Sequence, residues 1–178
     1  MKRLFLVAIA TVGFAFSGTA QDTKMKVGVD FGMPMGDIKD GYSFNLGVNA
    51  AYLWNVGEGF DVGAGVSYNM YMAKEQDFMG VKVKGDNASF LPIYGTATYA
   101  FTENIFAGAD LGYALGLAPS GTDGGIYYQP KVGYQTESYE IFLGYKAINS
   151  KQEVATPFGV AEADIAVASI NLGFNYKF

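Results

Sequence analysis

Residues 170 to 178 read INLGFNYKF. Ile170, Leu172, Phe174, Tyr176 and Phe178 fall on one phase of a two-residue period, and Asn171, Gly173, Asn175 and Lys177 fall on the other. Successive side chains of an extended chain point to opposite faces, so this stretch reads as a strand with one oily, aromatic face and one polar face. The alternation recurs in FDVGAGVSYNMYM, where Phe60, Val62, Ala64, Val66, Tyr68, Met70 and Met72 share a face. It recurs again in IFAGADLGYALGL, with Ile105, Ala107, Ala109, Leu111, Tyr113, Leu115 and Leu117 aligned. The pattern predicts eight strands, over 25–33, 42–54, 59–72, 89–101, 105–117, 126–136, 139–149 and 166–178.

The connections carry as much information as the strands. NVGEG, TEN and TES are tight turns with one Glu each. The other links, 34–41, 73–88, 118–125 and 150–165, are longer. Short and long alternate, so an antiparallel meander would gather all short turns at one end and all long loops at the other. A Greek-key sandwich has no reason to produce that asymmetry, whereas a barrel crossing an outer membrane has short periplasmic turns and longer outer loops. A ten-residue strand tilted by about 45° rises roughly 23 Å, close to the apolar band of such barrels.

Period two alone does not say which face is inside. Two features favour an oily exterior. Aromatic residues gather near strand ends: Trp54, Phe60, Tyr71, Phe90, Tyr99, Phe101, Phe106, Tyr139, Tyr176 and Phe178, as an interfacial girdle requires. The polar face carries Lys26, Lys131, Lys146 and Lys177 against Asp30, Asp61, Asp110 and Glu140. Four cations against four anions suit a narrow interior, where an unpaired charge is costly. Asn45, Asn49, Ser67, Asn69, Thr96, Thr98, Gln129, Gln135, Asn171 and Asn175 share that face and predict a hydrogen-bonded plug. Interior glycines such as Gly47, Gly65 and Gly173 would relieve crowding beside large side chains.

Composition adds the compartment. The start, MKRLFLVAIATVGFAFSGTAQ, has Lys2 and Arg3, then the apolar run Leu4 to Phe16, then small residues. It reads as a secretory signal peptide over 1–20, cut between Ala20 and Gln21, leaving a domain over 21–178. The mature chain then has 10 Lys against 17 Asp and Glu, an acidic balance that argues against nucleic acid as a partner. There is no Cys, hence no disulfide framework and no thiolate metal site, and no His, which removes Ser–His–Asp and Cys–His nucleophile systems. Asp61 and Asp110 are read as interior ion-pair members rather than as an acid–base pair. DFMGVKVKGD, residues 77 to 86, lacks the oxygen-ligand density of a calcium site and reads as a solvated loop or a projecting hairpin.

With a signal peptide, eight alternating strands, lopsided loops and a GFNYKF ending, the chain resembles the small eight-stranded outer-membrane β-barrels of Gram-negative bacteria, the OmpX, OmpW and OmpA transmembrane-domain group. The stretch with Gly173, Phe174, Tyr176 and Phe178 resembles the terminal signal read by the barrel-assembly machinery, which implies an insertion address. The expected fold is therefore all-β, an eight-stranded antiparallel up-and-down transmembrane β-barrel in the cell outer membrane. Outer-membrane lipid and the assembly machinery are its expected partners. No enzyme activity and no cofactor are expected. The role expected first is structural or surface-interacting, with any specificity on the outer loops. A narrow pore, or a conduit for ions or small apolar molecules, is the alternative, and a soluble secreted sandwich or lipocalin-like binder is a further rival.

Overall fold

The computed structural model describes residues 23–78, 81–156 and 159–178, so the segment read as a signal peptide lies outside the described residues. Ten strands follow in order: β1 (Thr23–Met35), β2 (Tyr42–Gly57), β3 (Phe60–Ala73), β4 (Glu75–Phe78), β5 (Val81–Lys84), β6 (Ala88–Ala100), β7 (Ile105–Ala118), β8 (Gly125–Gln135), β9 (Tyr139–Thr156) and β10 (Gly159–Lys177). Eight of them close into a barrel in the order β1-β10-β9-β8-β7-β6-β3-β2, every neighbour antiparallel. Closure leaves no long free edge, which is what lets so hydrophobic a set of strands avoid edge-to-edge association. Among the described residues no helix is long and apolar enough to cross a membrane, which says nothing of crossing with strands.

The short turns all fall at one end. Gly59, at φ +72, turns the chain from β2 to β3, a left-handed backbone that suits glycine. At the same end Lys177 donates its backbone N–H to the Ser138 carbonyl and Phe178 donates to Met25, which ties β10 to its neighbours on both sides. The opposite end carries the long connections. There β1 passes to β2 through a single 3-10 turn, Gly36–Ile38, and β4 pairs with β5 as a separate two-stranded hairpin.

Two expectations change at the loop end. The link over 150–165 is not a loop along its length: β9 and β10 remain paired from Ser150↔Ile165 out to Thr156↔Gly159, projecting the wall beyond its neighbours. The link over 73–88 holds the β4–β5 hairpin. Positions 79, 80, 157 and 158, inside those two expected loops, lie outside the described residues.

Two prolines interrupt the ladder. Between β3 and β6 the register runs from Val66↔Ile93 to Asn69↔Phe90 with the two intervening pairs missing, beside Pro92. Between β8 and β9 it runs from Tyr128↔Ala147 to Lys131↔Gly144, again with two pairs missing, beside Pro130. Proline has no N–H to give to a ladder and is normally confined to sheet edges.

Candidate functional site

The strand phase sends polar residues inward. Lys26, Asp30, Asp110, Glu140 and Lys146 are buried in the lumen, and Lys131 and Lys177 are nearly so. Lys146 Nζ donates to Asp30 Oδ1 at 2.6 Å and to Asn69 Oδ1 at 2.5 Å. Asn171 Nδ2 donates to Asp30 Oδ1 at 2.5 Å and to Asn45 Oδ1 at 2.6 Å, while Ser169 Oγ donates to Asn171 Oδ1 at 2.6 Å. Lys146 of β9 thereby reaches Asn69 of β3 across the lumen, and β1, β2 and β10, which lie between them along the wall, join the same cluster. Gly47 makes room for this cluster, since a Cβ there would lie 2.7 Å from Asn69 Oδ1.

Toward the turn end a second set of pairs follows. Lys131 Nζ bridges both oxygens of Asp110 at 2.7 and 2.8 Å and sits 5.7 Å from the Phe142 ring centre. Lys26 Nζ donates to Glu140, whose other oxygen accepts from Asn175 at 3.2 Å, and Lys177 lies 4.0 Å from Glu140. At the rim Asp61 pairs with Lys24 at 3.1 Å, although the Lys24 side chain remains 39% exposed. Lys24 falls outside the set expected from sequence because the alternation places the start of the first strand at residue 25. It shares the phase of Lys26, and that is the signal that finds it. The described lumen thus holds five lysines against four carboxylates.

The half of the lumen nearer the loops is different. Ile38, Tyr71, Phe90, Tyr94, Tyr127, Ile148 and Val167 form an apolar, largely aromatic plug. This corrects the girdle assignment for three residues: Tyr71, Phe90 and Phe106 point inward and are at most 2% exposed. It also corrects the expectation of an evenly polar interior. The Tyr71 ring meets Phe90 edge-on at 6.0 Å, and its hydroxyl lies 3.4 Å from Ser169 Oγ, where plug and polar network meet. Gly65 is small because Tyr94 lies over it, with ring carbons 2.7 Å from where a Cβ would stand.

Between the layers remains a cavity of about 10 Å³ bordered by Asp30, Ser67, Tyr94, Asp110, Gln129 and Lys131 among others, room for roughly one water. Among the described residues two buried side-chain atoms, Gln129 Nε2 and Asn175 Oδ1, have no hydrogen-bond partner. Among the described residues no group of His, Cys, Asp and Glu is arranged to hold a metal ion.

The outer surface reverses this chemistry. Leu111 is 66% exposed, Leu172 60% and Ile93 57%, and the oily positions of every barrel strand share their orientation. Outward aromatic pairs gather beside the turns: Tyr52 with Trp54 at 5.1 Å, Tyr99 with Phe101 at 5.1 Å, Tyr139 with Phe174 at 6.1 Å and Tyr176 with Phe178 at 4.9 Å. Of the four residues read as an assembly signal, Phe174, Tyr176 and Phe178 point outward, and Gly173 faces inward beneath the Phe142 ring.

A closed eight-stranded antiparallel barrel with this inside-out patterning has the fold of the small outer-membrane β-barrels. No protein-family model and no curated protein sequence matches the chain. Solved structures do. The crystal structure of Ail, the attachment invasion locus protein of Yersinia pestis, in complex with the heparin analogue sucrose octasulfate, is similar at TM-score 0.54 and 14% identity, over 88% of this chain and 97% of that one. The backbone structure of Ail in a phospholipid bilayer nanodisc gives TM-score 0.54 and 14% identity over 89% and 99%. A de novo designed transmembrane β-barrel gives TM-score 0.50 and 11% identity over 87% and 95%.

Proposed function

We propose that this protein is an integral outer-membrane β-barrel acting as a structural anchor for surface-exposed loops, exported through a signal peptide over 1–20. The observation that carries the reading is the pairing of an oily belt around the whole outside with an ion-paired, plugged inside. In water the belt would be a very large exposed apolar patch, and in a bilayer it is what the hydrocarbon requires. The turn-end aromatics suit a headgroup girdle, and the long connections then lie outside the cell.

The lumen favours an anchor over an ion pathway. Among the described residues, the cavity between the two layers is about 10 Å³, too small for a hydrated ion, and both layers would have to rearrange to conduct. The reading is non-enzymatic and cofactor-free, because a chain without His lacks the usual hydrolytic machinery. Gly173, Phe174, Tyr176 and Phe178 are the address for the barrel-assembly machinery, since their outward aromatics are accessible before insertion. A sulfated ligand like that of the Ail complex is not carried over. The outer connections 34–41, 73–88, 118–125 and 150–165 hold five Lys against nine Asp and Glu, which disfavours a polyanion.

Cell fractionation followed by gel mobility with and without boiling tests the reading. A heat-modifiable band in the outer-membrane fraction is expected, and a mature chain that stays in solution without detergent would overturn it. In planar bilayers the purified barrel is expected to be silent, whereas steady single-channel steps would transfer the case to the pore.

A further inference from the structure

The oily wall has a recess across β7, β8, β9 and β10. Its volume is about 460 Å³, within the range of small-molecule sites, and it is lined by Ala107, Pro130, Val132, Leu143, Tyr145 and Ile170. Ala107 is small and does not build the wall out. On size and oiliness alone this is a dent in a membrane belt. Pro130 adds a polar feature.

In an antiparallel ladder, a residue's N–H and C=O both engage the same partner in alternate pairs. The β8–β9 register keeps Tyr128↔Ala147 and Lys131↔Gly144 and loses Gln129 with Lys146 and Pro130 with Tyr145. Those two pairs are the ones that depend on a bond from the residue-130 N–H to the Tyr145 carbonyl. Proline cannot make it. The Tyr145 carbonyl is therefore left without its strand donor in the recess, in a belt where no water replaces it. The interior side offers no compensation: Gln129 Nε2 is buried and unpartnered there, 2.8 Å from where a Cβ on Gly144 would stand. The comparable break at Pro92 differs, because that ring is fully buried on the lumen side.

We infer that this recess binds one hydrocarbon-tailed amphiphile with an uncharged hydroxyl head, the tail along Ala107, Val132, Leu143 and Ile170 and the hydroxyl donating to the Tyr145 carbonyl. The inference rests on the membrane reading above. The recess is continuous with the belt, so what reaches it is dissolved in the bilayer. An acceptor asks for a donor, and a charged head would be expensive at that depth.

The test uses isotope-labelled barrel in phospholipid nanodiscs, titrated with 1-dodecanol and, in parallel, with dodecane, and read by NMR. Saturable shifts are expected at Ala107, Val132 and Leu143 to Lys146, with the alcohol binding about tenfold tighter than the alkane. Ala107→Phe, which fills the recess from outside, is expected to abolish the shifts; Ala107→Leu is the milder variant should the first fail to fold. Pro130→Ala supplies the missing N–H, so alcohol and alkane should then bind alike. The recess near Ala50 and Ala64 on the opposite wall holds no proline and is expected to show no alcohol preference. Uniform, unsaturating shifts around the belt would overturn the site, as would equal binding of dodecane by the unmodified barrel. Alcohol preference surviving in Pro130→Ala would also overturn it. Shifts that follow protein concentration instead of alcohol would make the recess a contact between two copies and refute the inference. A barrel that inserts yet shows none of these shifts sinks the recess alone, whereas one that refuses the bilayer sinks the membrane reading and the site with it.

Discussion

The two halves of the lumen are sealed by opposite chemistry. Toward the loops, Tyr71, Phe90, Tyr94, Tyr127 and Ile148 pack as the core of a soluble protein would. Toward the turns, Lys146–Asp30, Lys131–Asp110 and Lys26–Glu140 fill the same narrow space with charge. The difference lies in how each half fails. An apolar plug loses stability in proportion to the volume removed and tolerates trimming. A buried ion pair tolerates the loss of both partners better than the loss of one, because a lone charge keeps its full desolvation penalty. The paired half therefore fixes register: a one-residue slip would turn Lys146 or Asp30 toward the oily exterior.

Four substitutions test that contrast, in descending order of expected effect. Lys146→Met strands Asp30 and should cost about 3–5 kcal/mol in urea unfolding of the reconstituted barrel, while adding Asp30→Leu should recover most of it. An unchanged midpoint for the single variant would show that the pair is not desolvated. On the outside, Leu172→Arg shares its strand with Asn171 but faces the belt, and a loss of about 2–4 kcal/mol is expected if it sits near mid-membrane. In the aromatic half, Ile148→Val removes one methylene from a fully buried side chain and should cost about 1 kcal/mol. At the rim, Lys24→Ala breaks a half-solvated pair and should shift stability by less than about 0.5 kcal/mol. A rim effect as large as the Lys146 effect would erase the distinction between sealed and solvated charge.

The eight barrel strands were legible because strict alternation over ten residues arises where a strand separates two unlike environments, and rarely elsewhere. Each of the eight charged residues singled out in the sequence lies on the inward phase, since that phase follows once the strands are known. Tyr71, Phe90 and Phe106 also fall on the inward phase, beside Asn69, Thr96 and Asp110; their place near strand ends suggested a girdle, although period two already turned them inward. The rest was hidden for physical reasons. The outward continuation of β9 and β10 past residue 150 leaves no trace in alternation, because a ladder standing clear of the barrel has no oily face to keep. The breaks at Pro92 and Pro130 could have been read as ends of strands; only closure of the barrel shows them to be interruptions within it.

A nitroxide scan along β10 tests the central claim most directly, and the absence of native Cys makes single labels at residues 170, 171, 172, 174, 175 and 176 straightforward. In lipid bilayers, labels replacing Ile170, Leu172, Phe174 and Tyr176 should be relaxed by dissolved oxygen and shielded from a water-soluble nickel chelate. Labels replacing Asn171 and Asn175 should be immobile and reached by neither. The opposite phase, with the oily positions packed and oxygen-shielded while the asparagine positions meet the chelate, would contradict the account.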